Sequence, residues 1–241
     1  QSLGATDQKA MMMRFHTQTG GSTLTAQQPM NNISRVAIQT LAAVLGGTQS
    51  LHTNGFDEAL SLPTETAAGI ALRTQQIVAF ESGIPDTADP LAGSYFIESL
   101  TAEMKFKAYE LIHQIDEMGG SVQAIENGFM QNEIAKSAYV YQKAIERKEK
   151  IIVGVNEFQS DSHNKIPVMH VDDNIRQVQV NKLKLLKEKR DAQKVEDCLN
   201  KVEHAAKNGD NLMPPVVEAA TQLCTLGEIA DVLRNVFGEY K

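Results

Sequence analysis

The sequence predicts an α/β fold in which two strand–helix units precede a mainly helical tail. The first unit is a strand at 11–18, MMMRFHTQ, and a helix at 33–45 whose apolar residues recur at helical spacing. The second unit is a strand at 48–53, TQSLHT, and a helix at about 65–81. Strands that alternate with helices in this way are typical of a parallel sheet or barrel.

Turn-forming and capping residues separate these elements. Gly20-Gly21 breaks the first strand, and Asn54-Gly55 closes the second. Asn31-Asn32 can cap the start of the first helix, and Gly46-Gly47 ends it. These residues therefore predict where each of the two strands ends and where the first helix begins and ends.

The rest of the chain is predicted to be mainly helical. After a turn-rich loop at 84–96, helices are expected at about 98–118, 121–127 and 131–149, a buried strand at 151–155, and two last helices at 214–223 and 226–236. The charged run between 181 and 207 is interpreted as a solvated helix face. The resulting divisions are a strand–helix segment at 1–110, a helical extension at 111–158, a linker at 159–175 and a helical tail at 176–241.

Composition argues against several classes of function. The net charge of −7 and pI of about 5.4 disfavour nucleic-acid binding, which needs concentrated positive charge. No apolar run approaches the roughly 18 residues of a membrane span. Cys198 and Cys224 lack metal-ligand spacing, so we expect reduced thiols, no metal site and a cytoplasmic type of protein. Because the chain begins at Gln1 and not Met, we expect it to start inside a longer protein.

The first predicted strand carries polar residues on one face. Side chains alternate along a strand, so Arg14, His16 and Gln18 point the same way. Polar groups in a dry interior are costly unless all are hydrogen-bonded. These residues alone leave two interpretations open, a structural hydrogen-bond network and a ligand site.

The second predicted strand repeats the pattern. Ser50, His52 and Asn54 share one face, and this polar face is the one expected to line the interior. By itself, Asn54-Gly55 is also compatible with a plain turn, and Glu58 with a surface carboxylate in the first turn of a helix.

Three long segments resemble the B12-dependent acyl-CoA mutases of the methylmalonyl-CoA mutase type. They are RFHTQTGGSTLTAQQPMNNISR at 14–35, LGGTQSLHTNGFDEALSLPTE at 45–65 and DPLAGSYFIESLT at 89–101. The tail LGEIADVLRNVFGEY at 226–240 also resembles the end of the catalytic region of the large subunit. The resemblance spans nearly the whole chain and is weakest at 159–210.

The resemblance implies the C-terminal part of a (β/α)8 TIM barrel, namely its last two strand–helix units, followed by the helical tail. In this family, the CoA arm of the substrate threads the barrel and cobalamin lies over the carboxyl ends of its strands. The implied partners are an acyl-CoA, the remaining N-terminal barrel half, a cobalamin-binding domain or small subunit, and a second copy in a dimer. The cobalt-ligating DxHxxG pattern is absent from this sequence.

The resemblance also implies site residues. His16 and Gln18 match positions facing the substrate and the reaction cavity. Gln49 is also expected to bind substrate. Glu58, in the pattern NxxxE, matches the glutamate that contacts the ribose of adenosylcobalamin (coenzyme B12), so Gln18 and Glu58 are expected to be catalytic. The other cofactor-binding positions are Gly21, Asn54, Ser61 and Leu62, with Ser61 departing from an expected alanine.

The implied reaction is the radical interconversion of (R)-methylmalonyl-CoA and succinyl-CoA. A cofactor that supplies the radical leaves the protein to position substrate and exclude water, so the lack of a nucleophile–base pair does not argue against an enzyme. Isobutyryl-CoA or 2-hydroxyisobutyryl-CoA mutation and a non-catalytic assembly fragment are the alternatives. The expected compartment is the cytoplasm, or the mitochondrial matrix in a eukaryote. The remaining histidines are assigned no function: His113, His163, His170 and His204.

Overall fold

The computed structural model describes residues 4–160 and 166–239. The chain divides into two compact units, Gln1–His170 and Val171–Lys241, called here the N-terminal and C-terminal units. His163 and part of the predicted linker lie outside the described residues. No helix in the described ranges is long and apolar enough to cross a membrane.

The N-terminal unit begins with the predicted alternation of strands and helices. Its two strands pair in parallel, with Thr17 opposite Leu51 and Gln18 opposite His52. This parallel pair supports an α/β segment, although most of the unit is helical. The elements are β1 (Thr17–Gln18), α1 (Asn31–Leu45), β2 (Leu51–His52) and α2 (Glu65–Phe80).

Both strands are much shorter than the predicted 11–18 and 48–53. The chain before β1 forms a turn in which the amides of Ala10 and Met11 donate to the Asp7 carbonyl. The ladder stops before Phe15 because its amide donates to the side chain of Gln49, at 2.8 Å, and not to a strand backbone. A strand extends only as far as a neighbour accepts its backbone groups, and the sequence pattern does not show that neighbour.

The predicted strand at 151–155 is wrong. This apolar run forms a turn in which the Gly154 amide donates to the Glu157 carbonyl at 2.7 Å. The side chain of Asn156 closes the turn, accepting from the Ile152 amide and donating to the carbonyls of Ile145 and Lys150. A short apolar run bounded by Gly and Asn therefore folded on itself, because its backbone groups found local partners.

The small core of the N-terminal unit lies where α1 packs against α2. Val36 of α1 and Ala67 and Ala71 of α2 are buried, together with Leu24 and Phe56 from the connecting loops. Three further helices follow at about the predicted positions, and the long first and third of them contain no buried residue. They are α3 (Tyr95–Glu117), α4 (Ser121–Glu126) and α5 (Phe129–Glu146).

The C-terminal unit is a helical bundle in which α7 packs against α8 and α9. The charged run predicted as one helix face is two helices, because the Asp191 side chain caps α7 by accepting from the amides of Gln193 and Lys194. The core comprises Val195, Cys198, Val202, Ala219, Cys224 and Ile229. The helices are α6 (Asp173–Lys189), α7 (Ala192–Asn208), α8 (Met213–Thr221) and α9 (Leu226–Phe237).

A partly buried ion pair closes this bundle. The Arg190 guanidinium donates to both carboxylate oxygens of Glu228, at 2.7 and 2.5 Å, and also to the Leu223 carbonyl. Glu228 additionally forms a capping box with Thr225 at the start of α9. The guanidinium and the Thr225 groups hold the pKa of Glu228 far below its usual range.

We expect Glu228→Gln to destabilise the C-terminal unit by about 1.5–3 kcal/mol, the range for hydrogen bonds to charged groups. Because folding lowers the pKa of Glu228, its contribution is complete above the unfolded-state pKa of about 4.3. It is lost as pH falls toward the folded-state pKa. Hydrogen exchange of the α9 amides at pH 6.5 and pH 3.5, corrected for intrinsic rates, measures both effects.

Glu218→Gln is the matched control, because Glu218 pairs with Lys201 on the exposed surface. Exposed pairs contribute about 0–1 kcal/mol, so α9 exchange should change little. Equal effects of the two substitutions would contradict a special role for Glu228.

Candidate functional site

The parallel register brings the two predicted polar faces together. His16 Nδ1 lies 2.7 Å from Ser50 Oγ, and Gln18 Nε2 donates to Asn54 Oδ1 at 2.9 Å. Each pair joins one strand to the other across the same face of the sheet. The polar side chains are therefore partners of one another. His16, Gln18 and Ser50 remain exposed at the surface of the unit, whereas Asn54 is buried.

An open cleft of about 470 Å³ lies beside the start of this row. Its lining includes two of the residues predicted to bind substrate, His16 and Gln49. Gln49 also has a structural task, because its Oε1 accepts from the Phe15 amide. The lining is Arg14, Phe15, His16, Gln49 and Ser50.

Asn54 is the most firmly held polar side chain at the carboxyl end of the strands. It is buried, its amide N–H donates to Thr19 Oγ1 at 3.0 Å, and its Nδ2 donates to the Thr19 carbonyl at 3.1 Å. With the bond from Gln18, these contacts fix the side chain between the segments that follow β1 and β2. Such a buried arrangement, held by three hydrogen bonds, is more than a plain turn requires.

Gly21 meets Asn54 and Glu58 at one point. A Cβ on Gly21 would lie 2.8 Å from Asn54 Nδ2 and 3.4 Å from Cγ and Oε1 of Glu58. A Cβ on neighbouring Gly20 would meet nothing closer than 3.8 Å. The fold therefore brings together four predicted site residues, Gln18, Gly21, Asn54 and Glu58, and requires a bare backbone at one of them.

Glu58 is exposed beside this point, in a turn and not in the first turn of a helix as its isolated sequence context suggested. Its amide donates to the Gly55 carbonyl at 3.2 Å, and α2 begins seven residues later. Ser61 and Leu62 follow on the same loop. Ser61 Oγ donates to the Leu62 carbonyl and accepts from the Met169 amide, and the Leu62 side chain is exposed.

Asn32 was predicted as a possible helix cap and has a different role. α1 begins after Met30 without a side-chain cap, and the fully buried Asn32 amide donates to the carbonyls of Thr25 and Phe56. Its Oδ1 accepts from the Thr25 amide and from Arg35 Nη1. Asn32 thus joins the loop after β1 to the loop after β2, and the Asn-Asn pair gave no signal that distinguishes this from capping.

Asp57 is a second residue that sequence reasoning passed over. It lies between the buried Phe56 and the exposed Glu58 and is itself fully buried. One carboxylate oxygen accepts from both the amide and the hydroxyl of Thr64, the N-cap of α2. The only sequence signal is an Asp seven residues before a capping Thr, which is too common to single out a residue.

Comparison with known proteins gives a consistent result. A family model described as methylmalonyl-CoA mutase matches residues 1–239. The mitochondrial methylmalonyl-CoA mutases of Mus musculus and Homo sapiens are each 46% identical over 235 residues, covering 97% of this chain and 31% of the relative. The methylmalonyl-CoA mutase of Escherichia coli (strain K12) is 45% identical over 239 residues, covering 99% of this chain and 34% of the relative. The chain thus spans about a third of the length of the curated relatives it matches.

We expect Gly21→Ala to disrupt the site, because the added Cβ would collide with Asn54 Nδ2. Overpacking of this kind costs about 1–3 kcal/mol and should break the Gln18–Asn54 bond. The measurement is the chemical shift and exchange rate of the Asn54 side-chain amide by NMR. Gly20→Ala, where an added Cβ would make only ordinary van der Waals contacts and the backbone has a negative φ, is the control. An unchanged Asn54 signal in Gly21→Ala would contradict the close approach.

Proposed function

The chain belongs to the methylmalonyl-CoA mutase family, and from this premise we propose that it is part of an adenosylcobalamin-dependent isomerase that interconverts (R)-methylmalonyl-CoA and succinyl-CoA. The observation that carries the proposal is the cluster of Gln18, Gly21, Asn54 and Glu58 at the carboxyl ends of two parallel strands. This is the end of a parallel sheet or barrel at which active sites form.

We assign β1 and β2 to the last two strands of a (β/α)8 barrel. Their parallel pairing and the intervening α1 support the assignment, since parallel neighbours need a crossover connection. A barrel interior is ordinarily filled by aliphatic side chains. The row of His16, Ser50, Gln18 and Asn54 suits instead an interior that holds a polar thread such as the pantetheine arm of CoA.

On the substrate side, the strand contacts orient the groups that would bind acyl-CoA. The bond from His16 Nδ1 to Ser50 fixes the imidazole ring, so Nε2 is the atom assigned to the substrate. Gln18 uses its Nε2 on Asn54, which assigns its Oε1 to the reaction cavity. Gln49, on the rim of the cleft, is assigned to the CoA arm.

On the cofactor side, the exposed surface fits a large flat macrocycle and its nucleoside. Gly21 offers backbone without a side chain, and Leu62 offers an exposed apolar contact. The Glu58 carboxylate can accept hydrogen bonds from both ribose hydroxyls. When bound, adenosylcobalamin supplies the carbon radical that starts the rearrangement. The chain's own residues position the reactants and exclude water.

The proposed partners are the remaining N-terminal barrel half, a cobalamin-binding domain or small subunit, and a second copy of the enzyme. The proposed compartment is the cytoplasm in a bacterium or the mitochondrial matrix in a eukaryote; the mouse and human relatives are named as mitochondrial proteins. Isobutyryl-CoA and 2-hydroxyisobutyryl-CoA are the substrates to compare in the assay. A non-catalytic assembly role is disfavoured by the retained His16, Gln18, Asn54 and Glu58.

In the full-length enzyme, we expect Glu58→Gln to lower turnover about ten- to a hundredfold while the KM for acyl-CoA changes little. The substitution keeps the shape but weakens charge-assisted bonds to the ribose, which contribute roughly 1.5–3 kcal/mol. Losing that stabilisation in the transition state gives this range of rates. Steady-state kinetics with each acyl-CoA provides the measurement.

Two variants complete this test. Gln18→Ala should raise KM and lower turnover together, because Gln18 is assigned to the reaction cavity and also donates to Asn54 on the cofactor side. Glu65→Gln, an exposed carboxylate at the start of α2, should leave both constants unchanged. Turnover within about twofold of the parent in Glu58→Gln, with KM raised about tenfold, would show that Glu58 does not anchor the ribose.

A further inference from the structure

The loop between β2 and α2 carries four of the proposed cofactor-binding residues, and Asp57 lies at its centre. The backbone carbonyl of Asp57 accepts from the amides of Leu60 and Ser61, at 2.8 and 3.1 Å, which forms the turn. Its Oδ2 accepts from the amide of Thr64 at 2.8 Å and from Thr64 Oγ1 at 3.0 Å. One residue therefore joins the turn to the end of the loop.

Thr64, the residue to which Asp57 is bound, is held firmly by α2. Thr64 is the N-cap of α2 and accepts from the Ala67 amide. Ala67 and Ala71 of α2 are buried, and Thr53, the first residue of the loop, donates to the Ala71 carbonyl at 2.7 Å through its hydroxyl. Both ends of the loop are thus attached to α2, and the partial positive charge at the helix N-terminus favours the Asp57 carboxylate there.

Asp57 Oδ1 is buried without a hydrogen-bond partner among the described residues. A Cβ on Gly55 would lie 2.7 Å from this atom, so the loop encloses it closely. A buried carboxylate with incomplete hydrogen bonding costs free energy. The partial positive charge at the N-terminus of α2 offsets part of this cost for a carboxylate but would not for a neutral amide, so Asp57 suits this position better than Asn.

Burial of Asp57 determines where Glu58 lies. The two residues are consecutive in one turn, and their side chains have opposite environments, fully buried and exposed. With Asp57 held inward by Thr64, the Glu58 side chain is directed outward, where its Cγ and Oε1 would lie 3.4 Å from a Cβ on Gly21. A turn that released Asp57 would also move Glu58 away from Gly21.

We propose that Asp57 is a positioning residue for the cofactor side of this site. It holds Glu58 and the loop carrying Ser61 and Leu62 in their binding geometry through its contact with Thr64, and it does not touch the cofactor. The inference rests on the proposed function for the ligand, adenosylcobalamin. The holding of the loop is a property of this chain alone and is measured separately.

The test uses the full-length protein with three substitutions. Asp57→Asn keeps the shape but loses the charge, Thr64→Val removes the hydroxyl partner, and Thr64→Ser retains it. Two quantities are measured: hydrogen–deuterium exchange of the amides at 54–62, without cofactor, and the dissociation constant of adenosylcobalamin by absorbance. The matched control is Thr40→Val, which removes another buried hydroxyl bond, to the Val36 carbonyl within α1.

In Asp57→Asn, we expect exchange at 54–62 to be faster and the dissociation constant to rise about tenfold, equivalent to roughly 1.4 kcal/mol. Thr64→Val should show a smaller change in the same direction, and Thr64→Ser and Thr40→Val values near those of the parent. The KM for acyl-CoA should stay within about twofold in all variants, because the residues assigned to the substrate, His16, Gln18 and Gln49, lie on or beside the strands and not in this loop.

Parent-like loop exchange and cofactor affinity in Asp57→Asn would overturn the inference and leave the proposed function standing. Should Asp57→Asn fail to fold, Thr64→Val decides: parent-like loop exchange and affinity there likewise overturn it. A parent protein that does not bind adenosylcobalamin contradicts the proposed function and, with it, the cofactor role of Asp57. Loss of thermal stability in Asp57→Asn equal to that in Thr40→Val, with unchanged affinity, shows a purely structural residue.

Discussion

The register of two very short parallel strands is the constraint on which the site depends. Thr17 pairs with Leu51 and Gln18 with His52, and the backbone bonds that flank this ladder run from Thr17 N to the Ser50 carbonyl at 2.9 Å and from Thr19 N to the His52 carbonyl at 3.0 Å. Side chains alternate along a strand, so a slip of one residue would turn the polar row to the opposite face. The bond from Gln18 to Asn54 exists only in the observed register.

The polar contacts behind the strands make this register rigid. Asn32 uses both amide hydrogens and its carbonyl oxygen, and thereby fixes the loop that contains Gly21 and the loop that contains Glu58 to the same helix. Arg35 extends the connection to the Val153 carbonyl in the turn at 151–157. Buried polar networks specify one arrangement when every member is satisfied. The aliphatic core here is small, so these contacts carry much of the specificity.

Patterns that are local in the chain could be predicted from the sequence, and contacts between distant segments could not. Helical periodicity located α1 and α2 within a few residues, and strand alternation placed His16 and Gln18 on one face. Strand lengths failed because a strand ends where its neighbour ends. The prediction for Asn32 was wrong because an asparagine at the start of a helix can either cap that helix or hydrogen-bond to a distant loop. Only the folded structure places the Phe56 carbonyl within hydrogen-bonding distance of Asn32.

The sequence NGFDE shows the same limit within five residues. The resemblance to known mutases assigned functions to its ends, Asn54 and Glu58, whereas the three residues between them keep those ends in place. Gly55 leaves room for the Asp57 carboxylate, Phe56 gives its carbonyl to Asn32, and Asp57 binds Thr64. The tasks of Gly55 and Asp57 exclude most other residue types, the first for a steric reason and the second for a hydrogen-bonding reason, whereas the carbonyl at position 56 is a backbone group. Residues that bind the ligands can thus be predicted from their chemistry. The residues that position those ligand-binding side chains are found only by identifying the hydrogen-bond partner of each buried polar atom.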